Sequence, residues 1–302
     1  MGDFIDYYYI MLEREMNYSE REEQLNKRII KDYLRFGSVE EVFRRSNFDL
    51  PISTSGVHRL IDKWGVVKAA GPNTELGEVI MFLEKLAREK IPLETLYSKL
   101  PPSFETSKVT LHRVLSCIKH GLVRRVGVGL VVTPEGDESQ MLIGRDISTP
   151  RAEFGKYYGN LSIPVGFSKK GESRQDSLTR VLQREVFSAL TVEREFPYEL
   201  LDGDLRPFMQ LYLADTVVSI YHLEIPYQLA QRAESWVLSD LRFEAIENVL
   251  AESETKTYRS GVFEVAKHYI DFSSRGLVQV PPLLSISDLN LAFNPALARI
   301  YV

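Results

Sequence analysis

Between Gly166 and Phe187 the chain reads GFSKKGESRQDSLTRVLQREVF. A glycine loop runs here directly into an amphipathic helix, and this run constrains the fold more than any other. Its flanks alternate in kind. VGVGLVVTPEGDESQMLIGRD (126–146) reads as two strands around a Pro-Glu-Gly-Asp turn, a hairpin. GNLSIPVGF (159–167) reads as a strand leading into the loop, and TVVSIYHLEIP (216–226) as a further β-rich run. YRSGVFEVAKHYIDF (258–272) has the period of a closing helix. The order is strand, loop, helix, strands, helix, as in a layered α/β domain.

Within the run, Gly166, Glu172, Arg180 and Leu182 stand at the spacings of G-x5-E-x7-R-E-U-x-E-E-x-G-U, with U a bulky aliphatic residue. The stretch resembles a Nudix box, and the resemblance covers about half the chain, from near 125 to near 272. It implies an α/β/α sandwich. RFEAIENVL (242–250) resembles the acidic segment that follows the family's later strands. Three glutamates should follow Arg180. Val181 stands at the first, Arg184 at the second, and only Glu185 remains; Phe187 replaces the glycine. A shifted register, with Arg184-Glu185-Val186 as the R-E-U, also keeps one glutamate of three, with Ser188 and Ala189 in place of the pair.

Those losses bear on chemistry. A Nudix hydrolase uses Mg²⁺ to neutralise a diphosphate and position water, and Mg²⁺ requires hard oxygen ligands. Positions 181, 184 and 185 share one helical face, which now carries an isopropyl group, a guanidinium and one carboxylate. A guanidinium repels a metal but pairs with phosphate oxygens. The expectation is a domain with no catalytic residue and no metal site. It would hold an anionic, nucleotide-like ligand among Gly166, Glu172, Arg180, Arg184 and Glu185. Mg²⁺ enters only if the domain is a divergent hydrolase, with Glu172 and Glu185 carrying the metal, helped by Glu244 or Glu247.

The amino-terminal half reads differently. VHRLIDKW (57–64) and LHRVLSCI (111–118) both place apolar residues at positions one, four, five and eight, one buried stripe of a helix. Both carry His-Arg after the first apolar residue. KRIIKDYLRFG forms a preceding helix ending at Gly37, and Ser38 caps VEEVFRRS, with Glu40 and Glu41 at its positive end. TELGEVIMFLEKLAREK, PLETLYSKL and the turn PPSFETS precede the second copy. The arrangement resembles tandem helix-turn-helix and winged-helix modules, whose third helix reads base edges in the major groove. That resemblance implies contact with double-stranded DNA by Ser55, His58, Arg59 and Lys63 in the first unit. In the second it implies Lys108, Thr110, His112, Arg113 and Lys119, with Arg124 and Arg125 reaching phosphates.

Charge follows the same division. Residues 27–125 carry 18 Lys or Arg against 11 Asp or Glu, whereas residues 126–302 carry 17 against 24. A positive module on an acidic protein fits one part meeting phosphate and another not. No stretch approaches the roughly 20 apolar residues of a membrane span. The acidic start, MGDFIDYYYIMLERE, has neither the form of a secretory signal nor, with Asp6, that of a myristoylation site. The single cysteine, Cys117, excludes an internal disulfide framework and suits the cytoplasm.

The expected fold class is α+β multidomain: all-α helix-turn-helix modules, then a Nudix-like α/β/α sandwich. The expected divisions are an acidic helix (1–26), module one (27–72), module two (73–125), the Nudix-like domain (126–272) and an extension docking on its own domain (273–302). The expected function is a DNA-binding transcriptional regulator with a non-hydrolysing ligand sensor, acting as a monomer or a homodimer. The alternatives are a divergent Nudix hydrolase and a protein–protein adaptor.

Overall fold

The computed structural model describes residues 2–68, 108–147, 159–251, 258–274 and 282–299, with side chains from 19 and from 112 onward in the first two segments. The helices and turn expected across 73–107 lie outside the described residues, as do the side chains of Tyr7, Tyr8, Tyr9, Lys108 and Thr110.

The amino-terminal chain forms α1 (Gly2–Phe36), α2 (Val39–Arg45) and α3 (Thr54–Lys63). The acidic segment and KRIIKDYLRF form one continuous helix, since neither glycine nor proline interrupts them. It stops at Gly37, whose φ of +74° takes the left-handed position that glycine fills at helix ends. Ser38 Oγ accepts Glu41 N–H at 3.0 Å and Ser53 Oγ accepts Gly56 N–H at 3.2 Å, capping α2 and α3. The stripe Val57, Leu60, Ile61 and Trp64 is buried against Ile29, Ile30, Leu34 and Val42. A further helix, α4 (Lys108–His120), buries Val114, Leu115 and Ile118.

The remaining chain builds two sheets. β1 (Arg125–Pro134), β2 (Gln140–Asp146), β3 (Leu161–Ser162) and β4 (Val165–Phe167) precede the box helix α5 (Arg174–Glu185) and the short α6 (Ser188–Val192). β5 (Pro207–Leu213), β6 (Thr216–Ile225), β7 (Leu238–Ala245), α7 (Ile246–Ala251), α8 (Val262–Ser274), β8 (Leu283–Ile286) and α9 (Asp288–Phe293) follow. One sheet has the order β4-β1-β6-β5-β8 and the other β3-β2-β7. Alternation along β1 divides the core. Val128, Leu130 and Val132 pack with Leu178, Val181 and Leu182 of α5. Val131 packs on the other face with Val265, Ala266 and Tyr269 of α8. Helices therefore cover both faces.

The hairpin expected at 126–146 does not form. Its turn is present, but β1 pairs with β4 and β6, and β2 pairs with β3 and β7. Both edges of β1 are taken by strands distant in sequence, and β2 crosses to the second sheet.

The carboxy-terminal segment docks on its own domain. β8 runs parallel to β5. The Asn290 side chain bonds both backbone groups of Ala214, accepting at 2.7 Å and donating at 3.0 Å. Asp288 N–H donates to Glu264 Oε1 at 2.6 Å. Burial, and then the Asp288 carboxylate, push the Glu264 carboxyl up to about 7 against the backbone N–H groups around it. Because that value exceeds the unfolded one, the folded chain binds a proton that the unfolded chain releases. The contribution to stability is complete below the ordinary glutamate range and is lost as pH rises through about 7. Glu264→Gln keeps the acceptor without the charge. It is expected to raise stability by roughly 1 kcal/mol at pH 8, after allowance for solvent screening, and to leave it unchanged at pH 4. Thermal midpoints at the two pH values check this.

Candidate functional site

The spacing of Gly166, Glu172 and Arg180 has a local explanation. Ser173 Oγ caps α5 by accepting Asp176 N–H at 3.0 Å. Just before it, Glu172 Oε2 accepts Lys169 N–H at 2.9 Å and the Ser177 hydroxyl at 2.7 Å. Its other oxygen meets the Arg180 guanidinium, which also donates to Phe167 O. Burial opposes the Glu172 charge, but Arg180, Lys169 N–H and Ser177 outweigh it and hold the carboxyl below its ordinary value. Loop and helix are thereby locked in the ungapped register. A Cβ at Gly166 would stand 3.2 Å from Val181 Cγ2, so the first lost glutamate is a buried valine beneath the loop.

The last turn of α5 meets the helical module. From Ser177 to Gln183 every residue is buried. Arg184 lies against the carboxy-terminal end of α1. Its Nη1 would be 2.8 Å from a Cβ at Gly37, its Nη2 is 3.5 Å from Arg35 O, and its Nε is 4.0 Å from the buried Glu185. That helix end carries carbonyls without intrahelical partners and the negative pole of the macrodipole, where a cation is stabilising. Phe187, in place of the box glycine, is fully buried and meets Phe196 edge-on at 6.3 Å.

Several contacts with no sequence signal complete this seat. The Gln183 amide donates to Gly65 O at 2.8 Å and accepts Val67 N–H at 2.9 Å. Trp64 Nε1 donates to Val192 O at 3.0 Å, and the Arg194 guanidinium lies 3.7 Å from the Trp64 ring centre. Tyr198 hydroxyl donates to Gly65 O at 3.0 Å. The helix that would present metal ligands in an active box instead anchors the protein's own helical module.

This donor set does not suit Mg²⁺. Glu172 spends both oxygens on Arg180, Lys169 N–H and Ser177, and Glu185 has Arg184 beside it. Glu244 lies 3.2 Å from Arg242 and accepts Asn248 at 2.7 Å. Among the described residues no group of three His, Cys, Asp or Glu stands together.

The residues expected to meet DNA fall in three places. On α3, Ser55, Arg59 and Lys63 are exposed and His58 is half-buried. On α4, His112, Arg113 and Lys119 are exposed. Arg124 and Arg125 are engaged at the start of β1. Arg124 donates to Asp215 at 2.8 Å; Arg125 lies 3.9 Å from Asp215 and 5.0 Å from the Phe167 ring centre.

The loop–helix lock and the layered sheets make roughly half of the chain a Nudix-like fold of mixed α/β content. No protein-family model matches this chain, and no curated protein matches it. Among solved structures it is similar to a MutT protein from Methanosarcina mazei Go1, at 14% identity, covering 52% of this chain and 98% of that one, with a TM-score of 0.36. It is similar to a mutT/nudix family protein from Listeria innocua, at 15% identity, covering 51% and 96%, with a TM-score of 0.37. It is also similar to Shewanella oneidensis NrtR, at 14% identity, covering 50% and 64%, with a TM-score of 0.36. No helix among the described residues is long and apolar enough to cross a membrane.

Proposed function

We propose that this protein is a duplex-DNA-binding regulator of the cytoplasm whose Nudix-like domain no longer hydrolyses its ligand and instead carries the DNA-binding module. The observation that bears this reading is α3. Its apolar stripe is spent inside a capped three-helix core, while Ser55, Arg59 and Lys63 stay exposed on the opposite side. A helix so placed suits the reading helix of a helix-turn-helix unit. The seat on α5 supports the loss of hydrolysis, because the face that would take metal and substrate is covered.

The same seat supplies a route for sensing. A nucleotide-like anion that took the Arg184 guanidinium would compete with the end of α1 for it. Ligand would favour a displaced module, and DNA affinity would change by that difference in affinity.

Anisotropy of a labelled duplex at low salt tests the reading. The chain is expected to bind, with log K falling linearly against log salt, and Arg59→Ala/Lys63→Ala to lose about tenfold and reduce the salt slope by about 2. Duplex anisotropy that stays flat at low salt would overturn it.

A further inference from the structure

The two similar helices lie on opposite sides of the sandwich. α3 belongs to a core that includes Val192 of α6, and Trp64 and Gly65 beyond its end bond Val192 and Gln183. That places it outside α5, on the face lined by Val128, Leu130 and Val132. α4 buries Val114, Leu115 and Ile118 in the core of the other face, beside Val131, Leu211 and Leu213. Asn294, just beyond α9, holds its last turn by donating to Lys119 O at 2.7 Å. The two helices therefore belong to cores on opposite faces of the sheet.

Both helices offer exposed cations. Arg59 and Lys63 on α3, and Arg113 and Lys119 on α4, are exposed and make no ion pair among the described residues. Arg113 lies opposite the buried stripe of α4 and Lys119 on its flank, both exposed. A pair of reading helices serving one duplex must lie on one side of the protein, about one helical turn of DNA apart. Here a duplex seated on α4 runs outside the layer opposite to α3.

We infer that one chain holds two separate duplex segments at once, one on α3 and one on α4. This rests on the reading that α3 binds duplex DNA, and it adds bridging to that binding. The occupant of both faces is the phosphate backbone of a duplex, whose charge complements the two cation pairs.

A sandwich capture experiment on the full chain tests it. One biotinylated duplex is fixed on streptavidin, the protein is added, and retention of a second, fluorescent duplex is read, with mass photometry confirming single chains in the bridged complex. The wild type is expected to retain the second duplex. Arg59→Ala/Lys63→Ala and Arg113→Ala/Lys119→Ala are each expected to bind one duplex but to lose retention tenfold or more. All four side chains are exposed, and unchanged circular dichroism confirms that the variants fold. Binding of one duplex without retention of the second overturns the inference and leaves the DNA-binding reading standing. Retention that survives Arg113→Ala/Lys119→Ala means bridging by two copies through α3, and also overturns it. A chain that binds no duplex overturns the reading and the inference together.

Discussion

Phe187→Gly is expected to destabilise the protein by about 4 kcal/mol, although glycine is the residue that the Nudix box carries at this position. The Phe187 ring is fully buried among Leu182, Val186, Leu190 and Phe196. Removing it takes away the whole transfer energy of an aromatic side chain and leaves a cavity that a sheet-backed site cannot close. The backbone gains nothing in return, because φ at Phe187 is −119°, open to any residue. Urea midpoints followed by circular dichroism measure the loss. A cost below about 1 kcal/mol would mean that the ring is not part of a packed interior.

Arg259→Met is expected to cost a further 3 to 5 kcal/mol, roughly, through a different mechanism. Arg259 Nη1 donates to Asp146 Oδ2 at 2.6 Å and to Ser162 Oγ at 3.2 Å, and the paired side chains are only 5% and 6% exposed. The contact ties the end of β2 to the turn before α8. Removing the guanidinium takes from a buried carboxylate the countercharge 2.6 Å away, which costs more than the intact pair contributes. The double variant Arg259→Met/Asp146→Leu is therefore expected to recover most of the loss. A double-mutant cycle by urea denaturation separates the two cases, and equal costs for the single and double variants would contradict the assignment.

What was legible in the sequence was what is local. The spacing of Gly166, Glu172 and Arg180 was legible because it spans 15 residues, although they were expected to meet a ligand and Glu172 and Arg180 instead meet each other. The stripe Val57, Leu60, Ile61 and Trp64 was legible because helical period and burial coincide. The hairpin failed for the opposite reason. Alternation and a turn marked two strands correctly, but their pairing was decided by β4, β6, β3 and β7. Arg184 shows the same limit. Its charge argued against a metal, yet its neighbour Arg35 lies 149 positions away in sequence. Gln183 occupies an unconstrained position of the box pattern and bonds Gly65, 118 positions away. The box pointed to the layered fold; only the packed chain shows that Arg184 meets the end of α1.

Both tryptophans border that seat, and they report on it directly. Trp64 is 5% exposed beneath Arg194, and Trp236 packs near Lys31 of α1, 5.0 Å from its ring centre. Intrinsic emission of Arg184→Glu during urea unfolding is the most direct test. The substitution restores the acid of the box pattern and sets it against the negative end of α1. If α5 is the seat of the module, emission shifts to the red in native buffer and the unfolding free energy falls by about 2 kcal/mol or more. Unchanged emission and an unchanged midpoint would contradict it.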